Sequence, residues 1–226
     1  PFQELSVGFQ VIDTPQPGYS FVHCSIMPKK DLGEYVEILS AANVHRYDFF
    51  VHSYCVASYY AKRYPEEKDP VLVISCAGTD VEIVVVRKGM LFESRAFHID
   101  PMKNNDELFI SESVKTLEVY RKDTGSEMPV KVVLLPVHKP SPDFLERLHT
   151  SLGLPVEIGP ISDDFARAGV KRAFLAPMGV VGIAKTLSLL PLEYKRMFLA
   201  QRKKRILAYL GSLFIAFLIA GTVLLH

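Results

Sequence analysis

The sequence has no tryptophan, only three cysteines and only 13 glycines in 226 residues. So few cysteines exclude a disulfide-dense scaffold, and so few glycines exclude a collagen-like chain. The cysteines show no C-x-x-C spacing, and the histidines show no H-x-x-x-H or H-E-x-x-H pattern, so the sequence predicts no metal site. Hydrophobic residues make up 49% of the chain, which excludes a disordered protein.

Charge is missing from one long stretch near the end of the chain. Residues 206–225 contain no Asp, Glu, Lys, Arg, Asn, Gln or Pro. A helix of that length would be about 30 Å long, which matches the hydrocarbon core of a bilayer. A buried core helix is the alternative, but core helices are rarely apolar all round over this length. The pattern therefore predicts a transmembrane helix.

A basic collar precedes this stretch and explains why the net charge is only +1. Residues 192–205 carry six basic side chains against one acidic one, whereas residues 1–191 carry 20 basic and 24 acidic side chains. The basic residues of the collar are Lys195, Arg196, Lys203, Lys204, Arg202 and Arg205. Basic flanks stay in the cytoplasm, so we expect a single-pass protein with a cytoplasmic N-terminal domain and an outward C-terminus. Anionic lipid head groups are a simpler partner for the collar than nucleic acid.

The remaining sequence alternates between strand and helix patterns. Residues 5–12 and 20–27 read as a strand pair around a Pro/Gly loop, followed by helices over 29–42 and 52–64. The apolar face of the first helix would contain Leu32, Val36 and Leu39, and the pattern leaves open whether Ile38 belongs to it. The tyrosines of the second helix favour a core position, although a Tyr-rich helix would also suit a protein interface.

The most regular block is a predicted three-strand meander. Its strands cover 71–74, 81–87 and 90–99, and its turns fall at Gly78 and Gly89. A helix, a strand, a helix and a strand follow, over residues 105–122, 130–136, 142–152 and 154–158. A further helical stretch covers residues 163–184. This order predicts one layered α/β domain.

Several acidic residues are candidates for acid or base chemistry, but structural roles are favoured for all of them. Glu82 alternates with apolar neighbours, which predicts a strand residue that faces solvent. Asp163 and Asp164 precede a helical stretch, where they would act as helix caps. Asp48 and Asp80 have no supporting motif.

The block from the first meander strand onward resembles the second half of the actin-like ATPase fold, in its PilM branch. The resemblance rests on four segments. Val71–Asp80 contains the turn, and Gly89–Arg95 contains the hairpin. Val132–Pro136 is the strand, and Leu152–Val156 is the Leu-Gly-x-Pro-Val ending. The resemblance implies ribonuclease H-like α/β subdomains in residues 1–184. It also implies that an N-terminal part of the fold is missing from this sequence.

The tail is similar to the start of PilN, the membrane partner of PilM in type IV pilus machines. The similarity rests on residues 187–196, where Ser-Leu-Leu-Pro stands in place of the usual Asn-Leu-Leu-Pro. Residues 185–205 would be a linker and collar, and 206–225 the span. A PilM-like domain fused to such a span is the layout of GspL in type II secretion. The resemblance implies a bacterial inner-membrane scaffold that contacts the assembly ATPase, other bitopic platform proteins and further copies of itself.

The nucleotide motifs of the family are degenerate in this sequence. A phosphate-binding turn needs a glycine for close approach and an aspartate for Mg²⁺, but these places hold Ala77 and Ser75. A phosphate-binding turn shifted along the sequence, with Gly78 as the glycine and Asp80 as the aspartate for Mg²⁺, is less favoured. The glycine turn that would admit adenosine corresponds to Pro136, Val137 and His138. We therefore expect no cofactor and no enzyme activity.

Two other functions remain open from the sequence. The first is a membrane-anchored active actin-like ATPase or kinase-like enzyme, which would need a working phosphate turn. The second is a cell-division anchor similar to FtsA. That family attaches by an amphipathic helix, and residues 206–225 lack the polar face that such a helix needs.

Overall fold

The structure is a computed structural model, and it describes residues 4–16, 19–44, 47–100, 102–125, 127–135, 140–159, 179 and 188–224. The chain forms two compact units. The smaller unit comprises residues 1–8, 25–49 and 188–226, and the larger unit comprises residues 9–24 and 50–187. The predicted helical stretch over 163–184, with Asp163 and Asp164, lies outside the described residues.

The described elements follow the predicted order. In chain order they are β1 (Leu5–Gln16), β2 (Tyr19–Pro28), α1 (Lys29–Ala41), α2 (His52–Arg63), β3 (Val71–Ala77), β4 (Asp80–Arg87), β5 (Met90–His98), α3 (Asp106–Thr124), β6 (Lys131–Leu135), α4 (Pro142–Leu152), β7 (Val156–Ile158) and α5 (Leu192–Leu224). The predicted meander and the helix, strand, helix and strand after it are confirmed. Element ends differ from the predictions by three residues or fewer, with two exceptions: β1 extends to Gln16, and α5 begins at Leu192, 14 residues before the predicted helix over 206–225.

The larger unit contains a five-stranded mixed sheet with the order β5-β4-β3-β6-β7. The meander β3-β4-β5 is antiparallel, and β6 and β7 run parallel to β3. The β4–β5 turn has Lys88 at φ +50° and Gly89 at φ +74°. Both angles are left-handed, which is the geometry of the two-residue turns that join strands tightly.

Helices cover both faces of this sheet. Successive strand residues point to opposite faces. One face packs against α2, where Tyr54, Tyr59 and Tyr60 are all buried. The other face packs against α3 and α4, through residues such as Tyr120 and Leu148. Burial on both sides explains the nearly continuous apolar runs of β3, β4 and β6. The tyrosines of α2 therefore belong to the core.

The smaller unit contains α1 and the start of α5. Leu32 and Val36 of α1 are buried as predicted, whereas Ile38, whose place was left open, is 65% exposed. A 13-residue helix with two buried apolar positions packs only a narrow stripe, and Ile38 falls outside it.

Helix α5 is continuous over 33 residues and begins directly after Pro191. Residues 192–205, which carry the basic side chains of the predicted collar, are therefore helical. Among the described residues, none of the helices combines the length and the apolar character that a membrane crossing requires. The span over 206–225 stays a prediction.

Candidate functional site

The turn that would bind phosphate in the actin-like fold lies beside a pocket of about 250 Å³, here called the hairpin pocket. The turn joins β3 to β4 through Gly78 and Thr79, with Gly78 at φ +70°. A side chain at Gly78 would meet no atom within 4 Å, so the left-handed angle and not a close approach is what favours glycine. The pocket is lined by His52, Ala77, Asp80, Val81, Glu82, Ala96, Phe97 and His98.

Glu82 is the buried polar centre of this pocket. Its side chain is only 6% exposed and accepts a hydrogen bond from the Ser53 hydroxyl. Its other carboxylate oxygen lies 3.2 Å from Nδ1 of His52. The prediction that Glu82 faces solvent was wrong. Glu82 does point to the opposite face of β4 from Val81 and Ile83, as the alternation predicted. That face is also buried, however, because α2 packs against it.

Asp80 lies at the mouth of the pocket. Its carboxylate is 2.5 Å from Nδ1 of His98, and both side chains are more than half exposed. The turn is further tied to the end of β5 by a hydrogen bond of 2.8 Å from the Ile99 amide to the Thr79 carbonyl. Asp80 therefore has a local partner across the hairpin, which leaves it less suited to holding Mg²⁺ through water.

The lining of the hairpin pocket disfavours a phosphate group. It contains two carboxylates and two imidazoles, and both imidazoles already contact a carboxylate. Among the described residues, no Lys or Arg side chain lines it. Ser75, which the family resemblance aligns with the Mg²⁺ carboxylate, is 1% exposed. A phosphate in this pocket would meet like charges without a compensating cation. Within the described part of the chain, no group of three or more His, Cys, Asp or Glu residues is arranged to hold a metal ion.

Three predicted nucleotide-site residues, Pro136, Val137 and His138, lie outside the described residues. The collar residues lie on α5, where Arg196, Lys203 and Lys204 are exposed. Lys195 differs from these, because its ammonium donates to the Ser188 carbonyl at 3.3 Å. Nothing is described for the side chains of Arg202 and Arg205.

The Ser-Leu-Leu-Pro motif forms a second candidate site, in the smaller unit. Residues Ser188–Pro191, here called the docked segment, are all buried. The amide of Leu189 donates to the carbonyl of Phe49 at 2.9 Å, and the Leu189 carbonyl accepts from the hydroxyl of Ser6. The segment therefore makes hydrogen bonds with two distant parts of the chain.

Ser188 is the polar end of the docked segment. Its hydroxyl donates to the carboxylate of Asp48 and accepts from the amide of Leu190 at 3.3 Å. The Asp48 carboxylate also accepts from the amide of Phe49 at 3.0 Å. Ser188 and Asp48 are 140 positions apart, so sequence patterns gave no signal for this pair. Asp48 has the structural role that was favoured for it.

The docked segment continues without a break into α5, whose first turns are also fixed. The amide of Lys195 donates to the Pro191 carbonyl at 3.2 Å. Glu193 pairs with Lys29 of α1 at 3.5 Å, and the rings of Phe198 and Tyr47 meet edge to face with centroids 5.0 Å apart. The start of α5 is thus part of the smaller unit.

Comparison with known proteins gives a likeness in fold. No protein-family model matches the sequence, and no curated protein matches it. A chain of the PilM-PilN type IV pilus biogenesis complex overlays with a TM-score of 0.61 at 15% identity, covering 79% of this chain. A protein of unknown function with an actin-like ATPase fold from Bacteroides thetaiotaomicron overlays with a TM-score of 0.42 at 13% identity. The overlay covers 74% of this chain and 59% of that chain. The ethanolamine utilization protein EutJ from Carboxydothermus hydrogenoformans overlays with a TM-score of 0.30 at 17% identity. The overlay covers 55% of this chain and 51% of that chain.

The first overlay confirms the predicted α/β fold and its likeness to the PilM-PilN pair at the level of fold. The present chain spans 66% of the length of that solved chain. At 15% identity the overlay shows the fold alone, and it does not test the resemblance to GspL.

Proposed function

We propose that this chain is a membrane-anchored scaffold of a type IV pilus or type II secretion machine. In this proposal a PilM-like body, a PilN-like docked segment and a membrane helix are parts of one polypeptide. The observation that carries the proposal is the docked segment, which is buried within the smaller unit and leads directly into α5. The fold likeness to a chain of the PilM-PilN complex supports it.

The contacts of the docked segment are strong enough to hold it in place. Leu189 and Leu190 are 5% and 4% exposed. Full burial of a leucine side chain contributes roughly 1.5–3 kcal/mol. The hydrogen bond of Ser188 to the Asp48 carboxylate adds about 1.5–3 kcal/mol, because its acceptor is charged. Such a segment would fix the membrane helix to the body of the scaffold.

The apolar part of α5 would cross the bacterial inner membrane. Residues 206–225 carry no charge, and the exposed basic residues Lys203 and Lys204 directly precede them. These ammonium groups would lie among anionic head groups on the cytoplasmic side, at about 1 kcal/mol each. The larger unit would then be cytoplasmic, and the C-terminus would be periplasmic.

The scaffold would act without catalysis. A carboxylate-lined hairpin pocket with a buried Ser75 is poorly suited to nucleotide phosphates. Its partners would be the assembly ATPase of the same machine and other bitopic inner-membrane proteins.

Co-purification tests the scaffold function. The full chain would be extracted in mild detergent from its source organism and probed for the hexameric assembly ATPase. We expect the ATPase to be retained by the wild type. An unrelated bitopic protein with a basic collar serves as the control, and failure to retain the ATPase above that control would overturn the proposal.

Membrane insertion is tested separately. We expect the full chain to stay in the membrane pellet after alkaline carbonate extraction. Added protease should digest the larger unit in inverted membrane vesicles and leave it intact in right-side-out spheroplasts. Release by carbonate would contradict the membrane helix, and the opposite protease pattern would contradict the orientation.

A further inference from the structure

The carboxyl-terminal end of α1 is uncharged and open to solvent. Residues 38–44, here called the α1 tip, contain no Asp, Glu, Lys or Arg, and all five charged residues of α1 precede them. Ile38 is 65% exposed, and Val44 is 38% exposed. The α1 tip therefore presents apolar side chains that the described part of the smaller unit does not cover.

The backbone of the α1 tip satisfies its own hydrogen bonds. Asn43 has φ +56°, the left-handed angle at which many helices end. The Val44 amide donates to the Leu39 carbonyl at 2.8 Å, and the Asn43 amide donates to the Ser40 carbonyl at 3.0 Å. This pair of bonds satisfies carbonyl groups that a helix end would otherwise present to water. A helix end closed in this way loses less hydration when it enters an apolar medium.

Two connections between α1 and α5 show which way the α1 tip points. At the beginning of both helices, the Lys29 ammonium pairs with the Glu193 carboxylate at 3.5 Å. Further along both helices, a row of four aromatic rings leads from α1 to α5. Neighbouring centroids in this row are 6.2, 5.7 and 5.0 Å apart, and its members are Tyr35, Phe49, Tyr47 and Phe198. The two connections come in the same order along both helices, so α1 and α5 lead in the same general direction.

The α1 tip lies about level with the point where the charges of α5 end. Ala42 follows Lys29 by 13 positions, and Ile206 follows Glu193 by 13 positions. At a rise of about 1.5 Å per residue, both distances are about 20 Å along the helix axes. Ile206 is the first residue of the uncharged stretch. The α1 tip would therefore reach the surface of the membrane that α5 is proposed to cross.

We propose that the α1 tip lies in the head-group layer of that membrane, as a second lipid contact beside α5. This inference rests on the proposed function, because only a membrane helix brings a bilayer to this level. The head-group layer adds about 5–7 Å on each side of the hydrocarbon core. Helices that lie in the interface bury their apolar side chains about 5–10 Å deep, which is enough for Ile38 and Val44.

The surrounding charges favour lipid as the occupant and limit the depth of insertion. Lys203 and Lys204 are exposed directly before the uncharged stretch, so they would meet anionic head groups at about the same level as the α1 tip. Glu37 is exposed and directly precedes the tip. Its carboxylate has to stay hydrated, which keeps the α1 tip in the head-group layer and out of the hydrocarbon core.

Fluorescence quenching by lipids tests the position of the α1 tip. The variants are Ile38→Cys and Val44→Cys in a Cys24→Ser background, each labelled with the environment-sensitive fluorophore NBD. Cys55 and Cys76 react poorly with the label, because burial raises the pKa of both thiols to about 11. The full chain is reconstituted in vesicles of phosphatidylethanolamine and phosphatidylglycerol, with or without a lipid that carries a nitroxide near its head group. We expect both labels to lose emission when the nitroxide lipid is present.

Two further labelled positions serve as references. Tyr209→Cys lies in the uncharged stretch and should be quenched if α5 crosses the membrane. Lys30→Cys is the matched control, because Lys30 is exposed on α1 but precedes Ala42 by 12 positions, or about 18 Å. Its emission should not change. Far-UV circular dichroism checks that each labelled variant is folded.

The reference positions separate failure of this inference from failure of the proposed function. Quenching at Tyr209→Cys without quenching at Ile38→Cys and Val44→Cys would overturn the inference and leave the membrane helix standing. No quenching at Tyr209→Cys would overturn both. Equal quenching at Lys30→Cys and Ile38→Cys would contradict the direction of α1 and overturn the inference. Short-wavelength emission from the α1 tip that the nitroxide lipid does not quench would assign the tip to a protein contact instead.

Discussion

Ser75 on β3 lies directly opposite Glu82 on β4, and both side chains are buried on the α2 side of the sheet. If Ser75 takes the place of the Mg²⁺ carboxylate, as the family resemblance implies, that place holds a hydroxyl, while a carboxylate occupies the neighbouring strand. This carboxylate is bound to Ser53 and His52, so it contributes to the packing of α2.

Because carboxylates line the hairpin pocket, we expect the chain not to bind Mg²⁺-ATP. Titration of the full chain with a fluorescent ATP analogue and Mg²⁺ should show no saturable binding in the micromolar range. Phosphate would be repelled by the carboxylates of Asp80 and Glu82. Micromolar binding that is lost in Gly78→Val or Asp80→Ala would instead support the active ATPase.

Removing the carboxylate of Glu82 should destabilise the larger unit. Glu82→Ala leaves the Ser53 hydroxyl and His52 without their acceptor, at a cost of about 1–3 kcal/mol. Glu82→Gln keeps an acceptor and should cost less. Urea unfolding followed by circular dichroism measures this, since the chain has no tryptophan.

Glu118→Ala is the matched control for Glu82, because Glu118 is an exposed residue of α3. Its effect should stay within about 0.5 kcal/mol. An equal loss in Glu82→Ala and Glu118→Ala would contradict the role of the buried carboxylate.

Replacing Glu93 should stabilise the protein at neutral pH. Burial raises the pKa of Glu93, and the nearby Asp123 adds to the rise, against the Ser94 amide and Arg95. A raised carboxyl pKa means that the ionised form disfavours folding above that pKa. The penalty disappears as the pH falls below the unfolded value of about 4.3.

Thermal unfolding at two pH values measures the Glu93 effect. Glu93→Gln should raise the melting temperature at pH 7.5, and the gain should vanish near pH 3.5. Glu118→Gln, at the exposed position, should show no such pH dependence. A gain from Glu93→Gln that is the same at both pH values would point to packing and not to charge.

Ser188 and Asp48 should be energetically coupled across the docked segment. A double-mutant cycle with Ser188→Ala and Asp48→Asn should give a coupling energy of about 1–3 kcal/mol. Ser212→Ala on α5 serves as the control partner for Asp48→Asn, because the Ser212 hydroxyl donates to the Tyr209 carbonyl of its own helix. A coupling no larger than that of the control pair would show that the docked segment is not held through Ser188.

Local patterns were sufficient to predict most of the elements. The apolar runs of β3 and β4 and the Lys88-Gly89 turn depend on residues that are close in sequence, and their positions were confirmed. Glu82 was misplaced because alternation shows that a strand has two faces without showing how many of them are covered. That depends on α2, which is separated from β4 by the whole of β3.

Contacts between distant residues were the least predictable. The Ser-Leu-Leu-Pro motif was recognised from its sequence, but its partners Ser6, Asp48 and Phe49 carry no motif. Such features depend on tertiary packing, which a single sequence does not display.

The continuity of the docked segment with α5 makes the helix a lever. A helix of 33 residues is about 50 Å long, and no flexible joint separates it from Pro191. A tilt of ten degrees at its clamped start would displace its far end by about 9 Å. A rotation imposed on the smaller unit would therefore reach the other end of α5 as a sideways displacement of nearly one helix diameter.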